Sequence, residues 1–388
     1  MKIPKMLHLS ATAITNFKAC PMRFKNHNHL GIRRIEDTEA LRVGTNWHEM
    51  LEQSNIDAVV SLLNERYSRI PDGMNIDAVA KERAVLLNAY KGYRWFYTNN
   101  PFDVIANEIP FTIRLINPES GRALPNVVVK GKIDKLIRLR NNRIAVGEHK
   151  STSSQIDPDS RYWSHLNLDT QTTLYIYAAR RLQQDGLFSE YGIEPDDEPI
   201  TTAVLDAWRK PSIKPKNLTQ ADSKEFVNSG VYCGKEFDVV GVPVANPELS
   251  GSYPVDYYVN GRSAEVTPGK KEGTFAIRET ADMFGARYLD TIVNNPDTVF
   301  ARHELSKSDK QLERFEWELL NIYRTIQEMR RTGHWYTDEH QCEATFICPY
   351  TDFCYAGMDL DPENPPAGFK CIFDKGDDDD SNTPTPGR

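Results

Sequence analysis

The chain has no run of about 18 apolar residues, so no helical membrane span is expected. Its start, Met1-Lys2-Ile3-Pro4-Lys5, leads into polar sequence and lacks the apolar core of a secretory leader, which makes the cytoplasm the expected compartment. Cysteine is scarce, six in 388 residues, and in a cytoplasmic protein these are not expected to form disulfides. A phosphate-binding loop is also missing. Gly269-Lys270-Lys271 lacks both the earlier glycine and the following Ser or Thr, so the chain is not expected to drive unwinding with ATP by itself. Nor is there an excess of positive charge: 47 basic against 55 acidic residues leave a net charge of -8. That total does not exclude a polyanionic partner, because the local field decides binding. Asp377 to Asp380 carry part of the negative charge, while basic clusters remain at Arg23-Phe24-Lys25, Arg33-Arg34, Arg180-Arg181, Arg209-Lys210 and Arg330-Arg331. A groove lined by two or three of them is compatible with a nucleic-acid strand.

What is present is a globular composition, with 39% hydrophobic and 26% charged residues. Ser10 reads as an N-cap for a helix within residues 8 to 24 that stops near Cys20-Pro21, and Leu41 to Gln53 as a second helix. Further helices are expected near 56 to 68 and 79 to 97. The period then changes to two: Phe111, Ile113 and Leu115 alternate with polar residues, and Val127 to Leu139, Ile144 to Lys150 and Thr202 to Trp208 read as strands. Leu168 to Gln184 is a helix closed at Gly186. Residues 209 to 274, rich in Pro, Gly, Asn and Ser, read as long loops with short strands. Ser308 and Gln311 form a capping box for the best helix, whose Leu312, Phe315, Leu319, Ile322, Ile326 and Met329 make a core-facing stripe. The order of elements predicts a mixed α/β sheet with helices on its faces.

One constellation stands out. Gly131-Lys132-Ile133-Asp134 and Gly147-Glu148-His149-Lys150 lie on two strands joined by a tight turn at Asn141-Asn142. Such a hairpin brings Asp134 beside Glu148, and period-two alternation puts Glu148 and Lys150 on one face. Two carboxylates at one point form an oxygen site for a hard divalent cation, and an ammonium beside it can hold or activate a water. That is equipment for metal-assisted phosphodiester hydrolysis. Gln171 and Tyr175, one helical turn apart, share a face of the next helix; they either position a phosphate or the lysine, or are a surface Gln and a buried Tyr. Upstream, Gly44 and His48 sit on a helix, where an isolated His by itself reads as structural. A second constellation is Cys342, Cys348 and Cys354, with five residues in each gap. Thiolate ligation of a metal explains that density better than disulfides do.

In their order along the chain, Gly44 with His48, Asp134, Glu148-His149-Lys150 and Gln171 with Tyr175 resemble the RecB-type branch of the PD-(D/E)XK nuclease superfamily. Leu9 to Ile14 and Cys20-Pro21-Met22-Arg23-Phe24 are similar to that branch too. The resemblance implies a restriction-endonuclease-like core in which Asp134, Glu148, His48 and the backbone carbonyl of His149 hold Mg2+ or Mn2+. It makes Lys150 the residue that orients the attacking water, with Gln171 and Tyr175 shaping the site. It also implies a [4Fe-4S] cluster on Cys20, Cys342, Cys348 and Cys354, as in AddB-type subunits and CRISPR adaptation nucleases, with Cys371 as substitute ligand and zinc as alternative metal. The spacing of Cys342 and Cys348 departs from the two-residue gap usual there.

The expected organisation is a helical region over 1–100, a nuclease core over 101–208, an insertion over 209–305, a helix and cysteine segment over 306–358, and a disordered acidic tail over 359–388. The expected activity is a single-strand or end-dependent DNA exonuclease in recombination, repair or phage DNA processing, beside a separate helicase. The alternatives are a structure-specific endonuclease, a nuclease trimming CRISPR spacers, a sequence-specific restriction enzyme, or a noncatalytic nucleic-acid-binding subunit.

Overall fold

The Ala123–Leu139 strand is the trunk of the molecule. The computed structural model describes residues 6–36, 38–70, 75–244, 255–344 and 347–373. One edge of the trunk pairs antiparallel with the long Phe102–Ile116 strand. The other edge is shared by two strands in succession. Leu7–Leu9 runs parallel to Val127–Val129, and Ile144–Thr152 pairs antiparallel to it from Lys135 to Arg138. Between Val129 and Lys135 that edge is open, and Asp134 lies in the opening. Thr202–Arg209 then pairs parallel with Ile144–Thr152, and Phe300–Ser306 closes the sheet antiparallel to Thr202–Arg209. The result is a six-stranded mixed sheet.

Alternation along Thr202–Arg209 sorts the two faces. Ala203, Leu205 and Ala207 join a core with Leu174 and Ala178 of the Thr170–Gln184 helix and Phe315 and Leu319 of the Asp309–Thr332 helix. Trp208 faces the other way, into a core with Trp47, Tyr90, Phe284 and Phe300. The helices Glu39–Glu52, Ile76–Phe96 and Ala281–Asn294 cover that side. The expected mixed α/β architecture is therefore present.

Several elements depart from the sequence pattern. The first helix is Ala11–Ala19, capped by Ser10. A short strand precedes it, because Leu7 and Leu9 alternate with exposed His8. The helix ends at Cys20, which is extended (φ -163°, ψ 116°), as expected before Pro21. A short helix Pro21–Phe24 follows, then a π-helical turn Lys25–His29. The sheet also runs further along the chain than the pattern suggests. Phe300–Ser306, all but its last residue inside the span expected as an insertion, is a strand of the main sheet. Its polar residues hide it, because Arg302 is matched by Asp206 on the neighbouring strand.

Residues 216–279 stand on a narrow neck, where Asn217 bridges Arg278 and the Leu218 N–H donates to the Ile277 carbonyl. Beyond the neck lie a helix, Gln220–Ser229, and small antiparallel sheets. Order continues past residue 358. Leu360 is buried, and Phe369–Cys371 pairs with Ile32–Arg34. The rest of the expected acidic tail, from residue 374, lies outside the described residues, as do Met1 to Lys5.

Candidate active site

The opening in the trunk strand gathers the predicted residues. The antiparallel ladder starts at Lys135 and Gly147, so Asp134 and Glu148 are the next positions beyond its end. Asp134 Oδ2 accepts a hydrogen bond from the His149 N–H at 3.2 Å and stands 3.3 Å from His48 Nδ1. His48 thus reaches Asp134 from the Glu39–Glu52 helix, which packs on the opposite face from Glu148. The His149 side chain points to that opposite face too, 3.8 Å from Asp206. Its two ring nitrogens are buried without hydrogen-bond partners, and burial holds its pKa well below the usual range.

Glu148 and Lys150 lie on the face covered by the Thr170–Gln184 helix. Glu148 is buried; Oε2 accepts from Thr172 Oγ1 at 2.8 Å and Oε1 stands 2.6 Å from Lys150 Nζ. Burial raises the Glu148 pKa, and Lys150 opposes that rise. Burial alone would lower the Lys150 pKa, but Glu148 and Asp169 outweigh it and hold the ammonium above its ordinary value. Lys150 is therefore a cation at neutral pH. Its Nζ also donates to Gln171 Oε1 at 3.0 Å and lies 3.5 Å from Asp169 Oδ2. Gln171 Nε2 in turn donates to Tyr175 Oη at 3.3 Å. Burial raises the Tyr175 pKa to about 12. The Tyr175 ring meets Phe111 edge-on at 6.2 Å. Gly131 makes that layer possible, since a Cβ there would stand 2.7 Å from the Phe111 ring.

Two residues of this site escape the sequence motifs. Asp169 caps the helix and accepts from the Thr172 N–H at 2.9 Å and Thr172 Oγ1 at 2.8 Å. Burial opposes its ionisation, but Lys150 and the Thr172 bonds hold its carboxyl below the usual range. The signal available in the sequence was Asp169 as an N-cap three residues before Thr172.

The donor set, carboxylate oxygens beside an imidazole, fits a hard divalent cation. Glu148 Oε1 also fits, since it is buried without an aligned hydrogen bond. Among the described residues, however, no three His, Cys, Asp or Glu side chains already form a metal cage. Asp134 is engaged by His48 and the His149 N–H, and Glu148 by Lys150 and Thr172.

The same holds for the cysteines. Cys20, Cys342, Cys348 and Cys354 are free thiols that line one cavity of about 10 Å3, with Arg23 and Tyr350 among its other walls. The expected set of four comes to one place without forming a ligand cage. Burial, and then Cys348, Cys20 and Cys342, push the Cys354 thiol up. Cys371 is not part of this lining; its thiol is 3.4 Å from the Leu30 carbonyl. Of the basic clusters, Arg180 pairs with Asp309 and Arg331 with Glu328, so neither guanidinium is idle.

A sequence model of the PD-(D/E)XK nuclease superfamily matches residues 8–355, nearly the whole chain. No curated protein matches it. The chain belongs to the PD-(D/E)XK nuclease superfamily, whose restriction-endonuclease-like fold agrees with its mixed sheet and flanking helices.

Proposed function

We propose that this superfamily member is a divalent-metal-dependent deoxyribonuclease acting on single strands or free ends, as an exonuclease. One observation carries the hydrolytic reading: Asp134, Glu148 and Lys150 converge where the trunk strand loses its partner, with Gln171 holding the lysine from the adjoining helix. The end preference rests on the RecB-type resemblance and on the missing ATP-binding loop.

Asp134 and Glu148, with His48 and the His149 carbonyl, would hold Mg2+ or Mn2+. When bound, that cation supplies Lewis-acid activation of the phosphate and of the attacking water. The remaining work belongs to the chain. Lys150, a fixed cation, donates a hydrogen bond to the water or to a phosphate oxygen and offsets charge that grows in the transition state. Asp169 and Gln171 keep its ammonium from swinging away. Tyr175 braces Gln171 by accepting its amide hydrogen bond.

The four cysteines support a second, structural metal. They come from distant parts of the chain to one cavity, and crowded thiols favour a cation between them. The resemblance implies [4Fe-4S], with zinc as the alternative; the described side chains would have to rearrange to ligate either.

End-labelled linear and closed circular single-stranded DNA, digested with Mn2+, tests the activity. Degradation of the linear strand alone, reduced at least about 100-fold by Lys150→Ala while DNA binding persists, is the expected result. Cutting of circles would replace the exonuclease with an endonuclease. Cleavage that ignores Lys150 would sink the site, and DNA binding without cleavage would point to a noncatalytic subunit.

A further inference from the structure

Beside the catalytic helix lies a depression of about 470 Å3, open to solvent and lined by Lys18, Arg314, Trp317, Glu318, Asn321 and Ile322. Its floor and one wall come from the Asp309–Thr332 helix. Residues 314, 317, 318 and 321 recur at three- and four-residue steps, so they share one face. The buried stripe of Phe315, Leu319 and Ile326 occupies another face. The opposite wall is Lys18, near the end of the Ala11–Ala19 helix. Lys18 Nζ donates to Thr170 Oγ1 at 3.1 Å and to Glu318 Oε1 at 2.8 Å. Thr170 is flanked by Asp169 and Gln171, the two residues that hold Lys150. Lys18 thus links the rim of the depression to the start of the helix that carries Gln171.

Its chemistry suits one kind of occupant. Trp317 is 36% exposed, an indole face offered to solvent. Arg314 is exposed and takes part in no ion pair among the described residues. Asn321, exposed one turn beyond Trp317, adds an amide. Glu318, the carboxylate in the lining, is neutralised by Lys18. Arg314 to Asn321 covers about 10 Å of helix. An aromatic platform beside an unpaired cation is how single-stranded nucleic acids are held without regard to sequence, by stacking bases and matching phosphates.

We propose that this groove is the track along which a single-stranded polynucleotide lies next to the scissile site, with a base stacked on Trp317 and a phosphate at Arg314. The inference rests on the nuclease reading for its direction, but binding can be measured apart from cleavage. The probe is fluorescein-labelled oligo(dT) of roughly 20 nucleotides, longer than the roughly 4–16 that such grooves cover. Anisotropy is read with no divalent cation added. Trp317→Ala weakens binding about 5- to 100-fold, and Trp317→Phe recovers most of it. Arg314→Ala lowers the log–log salt dependence by about 0.7. Arg331→Ala, exposed at the far end of the same helix, serves as control, and matched melting curves establish folding.

Trp317→Ala and Arg314→Ala that bind like Arg331→Ala overturn the groove, as does a wild-type protein that binds no oligonucleotide. If these variants lose binding while wild type with Mn2+ cuts nothing, the groove stands and the nuclease reading falls. Lys150-dependent cleavage with unaltered binding in both variants means the reverse.

Discussion

Thr172 serves two carboxylates with one hydroxyl. Its Oγ1 lies 2.8 Å from both Glu148 Oε2 and Asp169 Oδ2. A hydroxyl has one proton, so it can donate to only one of them at a time. Whichever carboxylate it serves, the other depends more on Lys150, and the site's charge is balanced between them. Thr172→Val keeps the shape and removes the donor, leaving Glu148 Oε2 buried without its bond. We expect Mn2+ affinity to fall about 10- to 100-fold, with Thr172→Ser restoring most of it, by calorimetric titration. An unchanged affinity would mean that Glu148 is positioned by Lys150 alone. The residues legible in the sequence were those whose neighbours are set by local geometry. Asp134, Glu148 and Lys150 follow from a hairpin and the two-residue period of a strand. Thr172 was not legible, because its partner sits on another element and only the docking of helix on sheet brings them together. Asp169 was half-legible: its cap is local, its contact with Lys150 is not.

At the scale of elements, three neighbouring strands carry a buried polar row. His149, Asp206 and Arg302 are cross-strand partners in register. Arg302 Nε donates to Asp206 Oδ2 at 3.1 Å, and Tyr93 Oη donates to the same oxygen at 2.5 Å. The Arg302 guanidinium also sits 3.6 Å above the Tyr97 ring. Breaking such a pair strands a charge, at a cost of about 3–5 kcal/mol, whereas replacing both members by apolar residues is often neutral. Arg302→Met alone is therefore expected to destabilise strongly, and Arg302→Met with Asp206→Leu to recover most of the loss in urea unfolding. Additive losses would count against the pairing.

The π-helical turn gives a second prediction at this scale. Burial, followed by Arg33 and Arg23, lowers the His27 pKa to about 4; burial, followed by Arg330 and Lys25, does the same for His29. Above the unfolded value of about 6.5 both are neutral in either state. As pH falls from there towards 4, the unfolded chain takes up protons that the folded one refuses, so stability drops. His27→Gln should flatten the fall in urea midpoint between pH 7 and 5; an equally steep fall would place the responsible group elsewhere. This turn was hidden in the sequence, where the first helix was expected to stop near Cys20-Pro21 and residues 25 to 29 were assigned no element. The break comes from Pro21, which was visible, but the π geometry depends on contacts such as Asn16 Nδ2 to Asn28 Oδ1 at 3.0 Å.

For the molecule as a whole, distant segments meet at the cysteine cavity and at the pairing of Ile32–Arg34 with Phe369–Cys371. If a metal ties these segments, Cys20→Ser and Cys342→Ser should lower the melting temperature together and release the same metal, while Cys371→Ser keeps it. Elemental analysis and an absorption scan under nitrogen read the outcome. A visible band near 400 nm, roughly, marks iron, a colourless zinc protein removes the cluster, and metal retained by all three variants removes the ligand set.

The neck at Asn217 and Arg278 has a different bearing, on how such a chain can vary. Its two sides are already joined, so a peptide entering at 217 and leaving at 278 returns to the place where it left. Among the described residues, that piece packs on the Ala281–Asn294 helix through Met283 and Ala286. Chain length can therefore grow, shrink or be exchanged there as at a socket, provided that the new piece covers Met283 and Ala286, which the present one buries. A change beyond the neck therefore leaves the residues of the candidate site where they are.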